Sequence, residues 1–147
     1  MQLTRRGDYG IRAMLDIATV PDGGRALTHE IASRQDIPRV FLTKIVAQLT
    51  RAGLLRTYRG AAGGITLAQP ASDITLLDIV EAVEGPISLN LCTMRPSGCD
   101  RERTCPMCDV WQEAQSQLVE LLRGADLLHM AKKYESLLAV AEREGNG

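Results

Sequence analysis

Residues 28–68 restrict the fold more tightly than any other part of the sequence. Thr28 is a good N-cap for a short helix running to about Gln35, and Ile37-Pro38 opens another that should end at Gly53, with Pro38 suited to a first helical turn. Leu54-Leu55-Arg56-Thr57-Tyr58-Arg59, Gly60-Ala61-Ala62-Gly63-Gly64 and Ile65-Thr66-Leu67-Ala68 then read as strand, glycine-rich turn and strand. In the second helix Leu42, Ile45, Val46 and Leu49 form one apolar stripe, which leaves Arg39, Val40, Thr43, Lys44 and Arg51 on or near the other faces. Two helices joined by a tight turn, the second exposing basic and hydroxyl residues, make a helix-turn-helix, and the hairpin after it is a wing.

The flanking segments read as helical. Within Leu3 to Thr19, Ile11, Met14, Leu15 and Ala18 follow the spacing of an amphipathic helix, which Val20-Pro21-Asp22-Gly23-Gly24 ends. Thr75 with Asp78 matches a capping box for a helix from Leu76 to Glu84, stopped by Gly85-Pro86. Periodicity is lost from Pro86 to Thr104. Past Cys105, Val110, Trp111, Ala114, Leu118, Leu121 and Leu122 restore it through Arg123, and after a break at Gly124 a further helix runs from about Asp126 to Arg143. The expected architecture is mainly α with a small β-hairpin: a winged helix-turn-helix over residues 1–69, and a helical dimerisation region over 70–147 that holds a cysteine loop at 92–108. With five aromatic residues in all, Phe41 and Trp111 are expected to pack, Trp111 in a core or an interface.

Charge follows the same division. The 147-residue chain has a net charge of -1, yet up to Gln69 there are ten Arg or Lys against five Asp or Glu, and beyond it seven against thirteen. A basic first part and an acidic second part suit an amino-terminal half that meets a polyanion. No apolar run is long enough to cross a membrane, and no apolar core follows Arg5 and Arg6 to make a secretory signal, so the protein is expected in the cytoplasm without membrane association.

On that basic half, Arg39, Val40, Thr43 and Lys44 occupy the early part of the presumed recognition helix, where side chains reach base edges and phosphates in a major groove. Arg59 and Gly60, at the glycine-rich tip of the wing, are placed to enter a neighbouring minor groove. Asp8 pairs most simply with Arg12 four residues on.

All four cysteines fall within Cys92-x6-Cys99-x5-Cys105-x2-Cys108, a loop that also contains Pro96, Gly98 and Pro106. In a reducing compartment these are ligands or redox thiols rather than structural disulfides. Four thiolates suit a 2Fe-2S or a 4Fe-4S cluster first, and a structural zinc ion as the alternative. Cys105 and Cys108 would share the first turn of the long helix, whose free N–H groups favour an anionic centre. Cys105-Pro106-Met107-Cys108 also has the form of a dithiol redox motif, without the βαβ unit such a motif requires. Neither histidine stands beside a candidate nucleophile, and nothing else suggests an enzyme.

Met1-Gln2-Leu3-Thr4 with Asp8-Tyr9-Gly10, then Arg59-Gly60-Ala61-Ala62-Gly63-Gly64, then three spaced cysteines, together resemble the Rrf-type family of winged-helix transcription regulators, the IscR- and NsrR-like proteins. The similarity runs from Met1 to about Ala131. It implies a homodimer on palindromic promoters, and it implies Cys92, Cys99 and Cys105 as three cluster ligands. Members differ in the fourth: Cys108 stands where IscR-like proteins have a histidine, and Asp8, from the partner subunit, stands where NsrR-like proteins have an aspartate. A thiolate from the same chain favours Cys108. Arg59 matches the wing arginine of the family, whereas the acidic residue some members place on the recognition helix is Thr43 here. The resemblance thus implies a repressor that senses redox state, nitric oxide or iron-sulfur supply.

Overall fold

The computed structural model describes residues 3–94 and 98–147. Met1 and Gln2 of the amino-terminal motif and Pro96 of the cysteine loop lie outside the described residues. Among the described residues, seven helices and one hairpin follow in the order α1 (Arg5–Ala18), α2 (Thr28–Gln35), α3 (Arg39–Arg51), β1 (Leu55–Tyr58), β2 (Gly64–Leu67), α4 (Leu76–Glu84), α5 (Leu91–Met94), α6 (Cys108–Gly124) and α7 (Leu127–Gly145), with a 3-10 turn at Ala71–Asp73 before α4.

The helix-turn-helix forms as its patterning dictates. Leu42, Ile45, Val46 and Leu49 of α3 are buried, and they meet Ile31 and Ala32 of α2 and Met14 and Ile17 of α1 in one core. Between α2 and α3 the chain turns through Asp36 in the left-handed region, φ 51°, which a short polar side chain tolerates, and Ile37 N–H closes the turn on the Ala32 carbonyl at 3.0 Å. Two helix starts differ from expectation. Leu27, not Thr28, is the N-cap of α2, with no side-chain cap, because the Leu27 carbonyl already accepts from Glu30 and Ile31 N–H, each at 3.0 Å. Pro38 is the N-cap of α3 rather than its first helical residue; its carbonyl accepts from Leu42 N–H at 3.0 Å.

β1 and β2 pair antiparallel with Leu55 opposite Leu67 and Tyr58 opposite Gly64. A third contribution has no signature in the sequence: Ala26, between α1 and α2, bridges Ile65 through two backbone hydrogen bonds of 2.9 and 2.8 Å. The wing is therefore braced at its base by the segment that leads into α2.

α1 buries Gly7, Gly10, Ala13, Met14, Asp16 and Ile17, while Ile11, Leu15 and Ala18 of the expected stripe are only partly buried. The shift follows from the glycines. A Cβ on Gly10 would lie 2.9 Å from Val83 Cγ2, so the missing side chain lets α4 sit directly against α1.

α4 matches its expected bounds, with the capping box of Thr75 and Asp78 formed in both directions. The core continues through Ile74, Ile79 and Val83 to Leu127 at the start of α7. Backbone bonds of 2.8 Å from Leu76 N–H to the Ala125 carbonyl and from Leu127 N–H to the Ile74 carbonyl fix the α6–α7 corner beside α4. Each fully buried aliphatic side chain here stabilises the fold by about 1.5–3 kcal/mol.

The cysteine segment departs from expectation at two points. A one-turn helix, α5, occupies part of the stretch expected to be irregular. α6 starts at Cys108 after a turn through Pro106 and Met107, so Cys105 lies ahead of the helix and the two cysteines do not share its first turn; Cys108 N–H reaches the Cys105 carbonyl at 3.3 Å. Cys108 is the one buried residue of α6. Val110, Trp111 and Leu121 on α6, and Leu137, Leu138 and Val140 on α7, stand exposed. At 38% exposure Trp111 is not a core residue of the protomer. None of the helices among the described residues is long and apolar enough to cross a membrane.

Candidate functional site

The amino-terminal half of α3 and the wing form one exposed surface. Arg39, Val40, Thr43 and Lys44 on α3 and Arg59 and Gly60 on the wing are all exposed. Phe41, expected to pack, is 46% exposed beside them, with its ring centroid 6.2 Å from that of Tyr9. It was placed inside because a large aromatic usually is, but the α3 stripe that faces the core leaves position 41 on the open side. The Thr43 hydroxyl donates to the Arg39 carbonyl at 2.9 Å.

The cations of this half divide into two groups. Arg12 is held by Asp8 at 2.6 Å and donates to the Gln35 carbonyl at 2.7 Å, lying 4.9 Å from the Tyr9 ring centroid; Arg34 is held by the buried Asp16 at 2.8 Å; Arg6 donates to Gln48 at 2.7 Å. Hydrogen bonding to Asp16 raises the pKa of Arg34 further, so that charge is permanently committed to the fold. Among the described residues the side chains of Arg39, Lys44 and Arg59 are in no ion pair, so their charges stand uncommitted on the exposed face of α3 and the wing.

Arg25 was not singled out by sequence. Its guanidinium lies 3.7 Å from the Tyr58 ring centroid and hydrogen-bonds to the Ala62 carbonyl in the wing turn. Within that turn Gly63 N–H also bonds the Gly60 carbonyl at 2.9 Å. Arg25 thus ties the wing tip, where Arg59 projects, to the α1–α2 loop. The Ala26–Ile65 pairing next to it also brings the two segments together.

At the other end of the molecule, Cys92 on α5 lies close enough to Cys108 at the start of α6 for the two thiols to influence each other's titration. Burial pushes the Cys108 thiol up to about 11, helped by Cys92 and by the negative charges of Glu102 and Asp109. Gln112 donates to Cys108 Sγ at 3.4 Å. Cys99 and Cys105 lie half-buried on the segment joining α5 to α6. Gln115 of α6 fastens α5 and the residues just before it, accepting from Leu89 N–H at 3.0 Å and donating to the Thr93 carbonyl at 3.2 Å. A cavity of about 490 Å³ opens beside Cys92 and Thr93, bounded by Glu102, Gln112 and Gln115.

The donor chemistry fits a soft metal centre, since four thiols lie on one loop and two of them, Cys92 and Cys108, lie close together. Among the described residues, however, no group of three or more His, Cys, Asp or Glu side chains is gathered closely enough to hold a metal ion. Cys99 and Cys105 would have to move toward the Cys92–Cys108 pair. Asp8, the other candidate ligand, is engaged with Arg12 of its own chain.

A winged helix with an exposed basic reading helix and wing defines the class: a DNA-binding transcription regulator. The model of the Rrf2 family, described as iron-dependent transcriptional regulators, matches residues 3–133, and the chain belongs to that family. It is 30% identical over 146 residues to the HTH-type transcriptional regulator IscR of Photorhabdus laumondii, spanning 99% of this chain and 88% of the relative. Among solved structures it is similar to IscR of T. potens, with a TM-score of 0.75 and 28% identity over 93% of this chain and 90% of the other. The cysteine regulator CymR of B. subtilis follows with a TM-score of 0.74 and 26% identity over 90% and 98%. These are transcriptional regulators, not enzymes, which removes the oxidoreductase reading of Cys105 and Cys108.

Proposed function

We propose that this chain is an iron-sulfur-dependent repressor that binds palindromic double-stranded operator DNA as a cytoplasmic homodimer. The observation that carries the reading is the closeness of Cys92 to the buried Cys108 on a loop that also holds Cys99 and Cys105. Cys92, Cys99, Cys105 and Cys108 are assigned as the cluster ligands, with the partner subunit's Asp8 as the competing fourth ligand. Cys108 is preferred because it lies close to Cys92 in the same chain, whereas Asp8 is paired with Arg12.

When bound, a 2Fe-2S or 4Fe-4S cluster supplies a centre sensitive to oxidation, nitric oxide and iron supply. The chain's own residues do the rest. Cys108 is a protonated thiol at neutral pH and gives up that proton on ligation. Gln115 holds the loop to α6, α6 packs on α4, and α4 packs on α1, so the order of the loop bears on the body that carries α3. Exposed apolar side chains on α6 and α7 support the assignment of residues 70–147 as the dimerisation region, with Trp111 an interface anchor. Arg39, Val40, Thr43 and Lys44 enter the major groove, and Arg59 with Gly60 the minor groove.

The test is a visible spectrum with iron and sulfide analysis of anaerobically purified protein. Brown protein with near-stoichiometric iron and sulfide is expected. Colourless protein, or protein containing zinc, would remove the cluster from the account and leave the DNA-binding regulator.

A further inference from the structure

We infer that the reading face of α3 recognises thymine methyl groups, so that each operator half-site carries T·A pairs where the first turn of this helix meets the major groove. This rests on the DNA-binding role proposed for α3 and specifies its ligand.

The inference starts from what the exposed face offers. Val40 is 70% exposed at the second position of the helix, and Thr43, three residues on, is its neighbour on the same face. The Thr43 hydroxyl commits its only proton to the Arg39 carbonyl at 2.9 Å. What Thr43 has left to present is its methyl group and an acceptor oxygen. Phe41 adds a further exposed apolar side chain in the same turn. Arg39 and Lys44 flank this patch, in no ion pair among the described residues, and are positioned to hold phosphates on either side.

A short apolar strip bordered by two cations matches one base-edge chemistry. In the major groove guanine and adenine expose acceptors, and cytosine and adenine expose amino donors; only thymine exposes a methyl group. Against Val40 the polar edges would lose water and gain no partner, at a cost for each buried group. Thymine instead buries methyl against methyl.

The experiment uses the full chain under anaerobic conditions and a randomised duplex library to select the half-site. Thymine is then replaced by deoxyuridine one position at a time, which removes the methyl group and preserves base pairing. About fourfold weaker binding is expected at one or two positions per half-site, the effect of one lost methyl contact. At such a position Val40→Ala should bind thymine and deoxyuridine duplexes alike while keeping the salt dependence of the wild type. Half-sites with G·C pairs throughout the footprint of α3, or no position at which deoxyuridine matters, would overturn the inference and leave the DNA-binding role intact. Retention of no duplex even at low salt would remove that role as well.

Discussion

The Glu84 carboxylate accepts the Gly7 backbone N–H at 3.1 Å, so the last residue of α4 closes the first turn of α1. The same oxygen accepts from Thr4 N–H at 3.1 Å and from the Thr4 hydroxyl. Free N–H groups and the positive end of the helix dipole make this a favourable place for a carboxylate. Glu84 directly precedes Gly85-Pro86, where the chain leaves for the cysteine loop. The loop and the first helix of the DNA-binding body thus share one anchor.

Removing that anchor should cost stability. Glu84→Ala is expected to lower the unfolding free energy by about 1 kcal/mol, as for loss of a helix cap, with Glu84→Gln recovering part of it. Gly10→Ala should cost about 1–3 kcal/mol, because its Cβ would press on Val83. Urea denaturation of the metal-free protein measures both.

Arg25→Ala should loosen the wing without unfolding the core. Its two tethers, the Tyr58 ring and the Ala62 carbonyl, both lie in the hairpin. Faster amide exchange over residues 59–63 with little change in melting temperature is the expected outcome. Arg25→Lys should only partly restore protection, since an ammonium cannot stack flat on Tyr58 while bonding Ala62.

Lys44 and Arg59 should fail differently when replaced by alanine. Loss of a phosphate contact at Lys44 is expected to weaken binding across sequences and reduce the salt slope by about 1. Loss of Arg59 should cost about 1–3 kcal/mol and relax preference where the minor groove narrows. Titrations of selected and scrambled duplexes at several salt concentrations distinguish the two.

Asp126 gives the fold a pH dependence. The His129 backbone N–H at 2.9 Å, with its imidazole, holds this carboxyl below the usual range as it caps α7. A depressed folded pKa contributes stability above the ordinary carboxylate pKa, about 3.9, and that contribution is lost as pH falls through the folded value. Asp126→Asn should therefore be less stable than wild type near about pH 6, with the gap closed at an acid pH below the folded pKa. Paired urea midpoints at the two pH values test this.

How far the sequence reveals this arrangement varies with the range of the interactions. Residues 39–51 and 76–84 announce themselves because local patterning and capping decide them, and the hairpin follows from its glycines. Ala26 has no periodicity to betray it, since its strand character exists only opposite Ile65. The buried face of α1 is set by small residues against α4, so a search for large apolar side chains finds its flank instead. All four cysteines are plain in the sequence, but the closeness of Cys92 to Cys108, across a turn that delays α6 to Cys108, is tertiary. Arg25 and Glu84 look like any surface charges until their partners are known.

The most direct test of the central claim is the affinity of one palindromic duplex for the cluster-loaded protein and for the same preparation after anaerobic chelation. Roughly 1–3 kcal/mol of coupling, about a 5- to 150-fold difference in dissociation constant, is predicted. Equal affinities for the two forms would contradict the account: the cysteine loop would then have no hold on DNA binding.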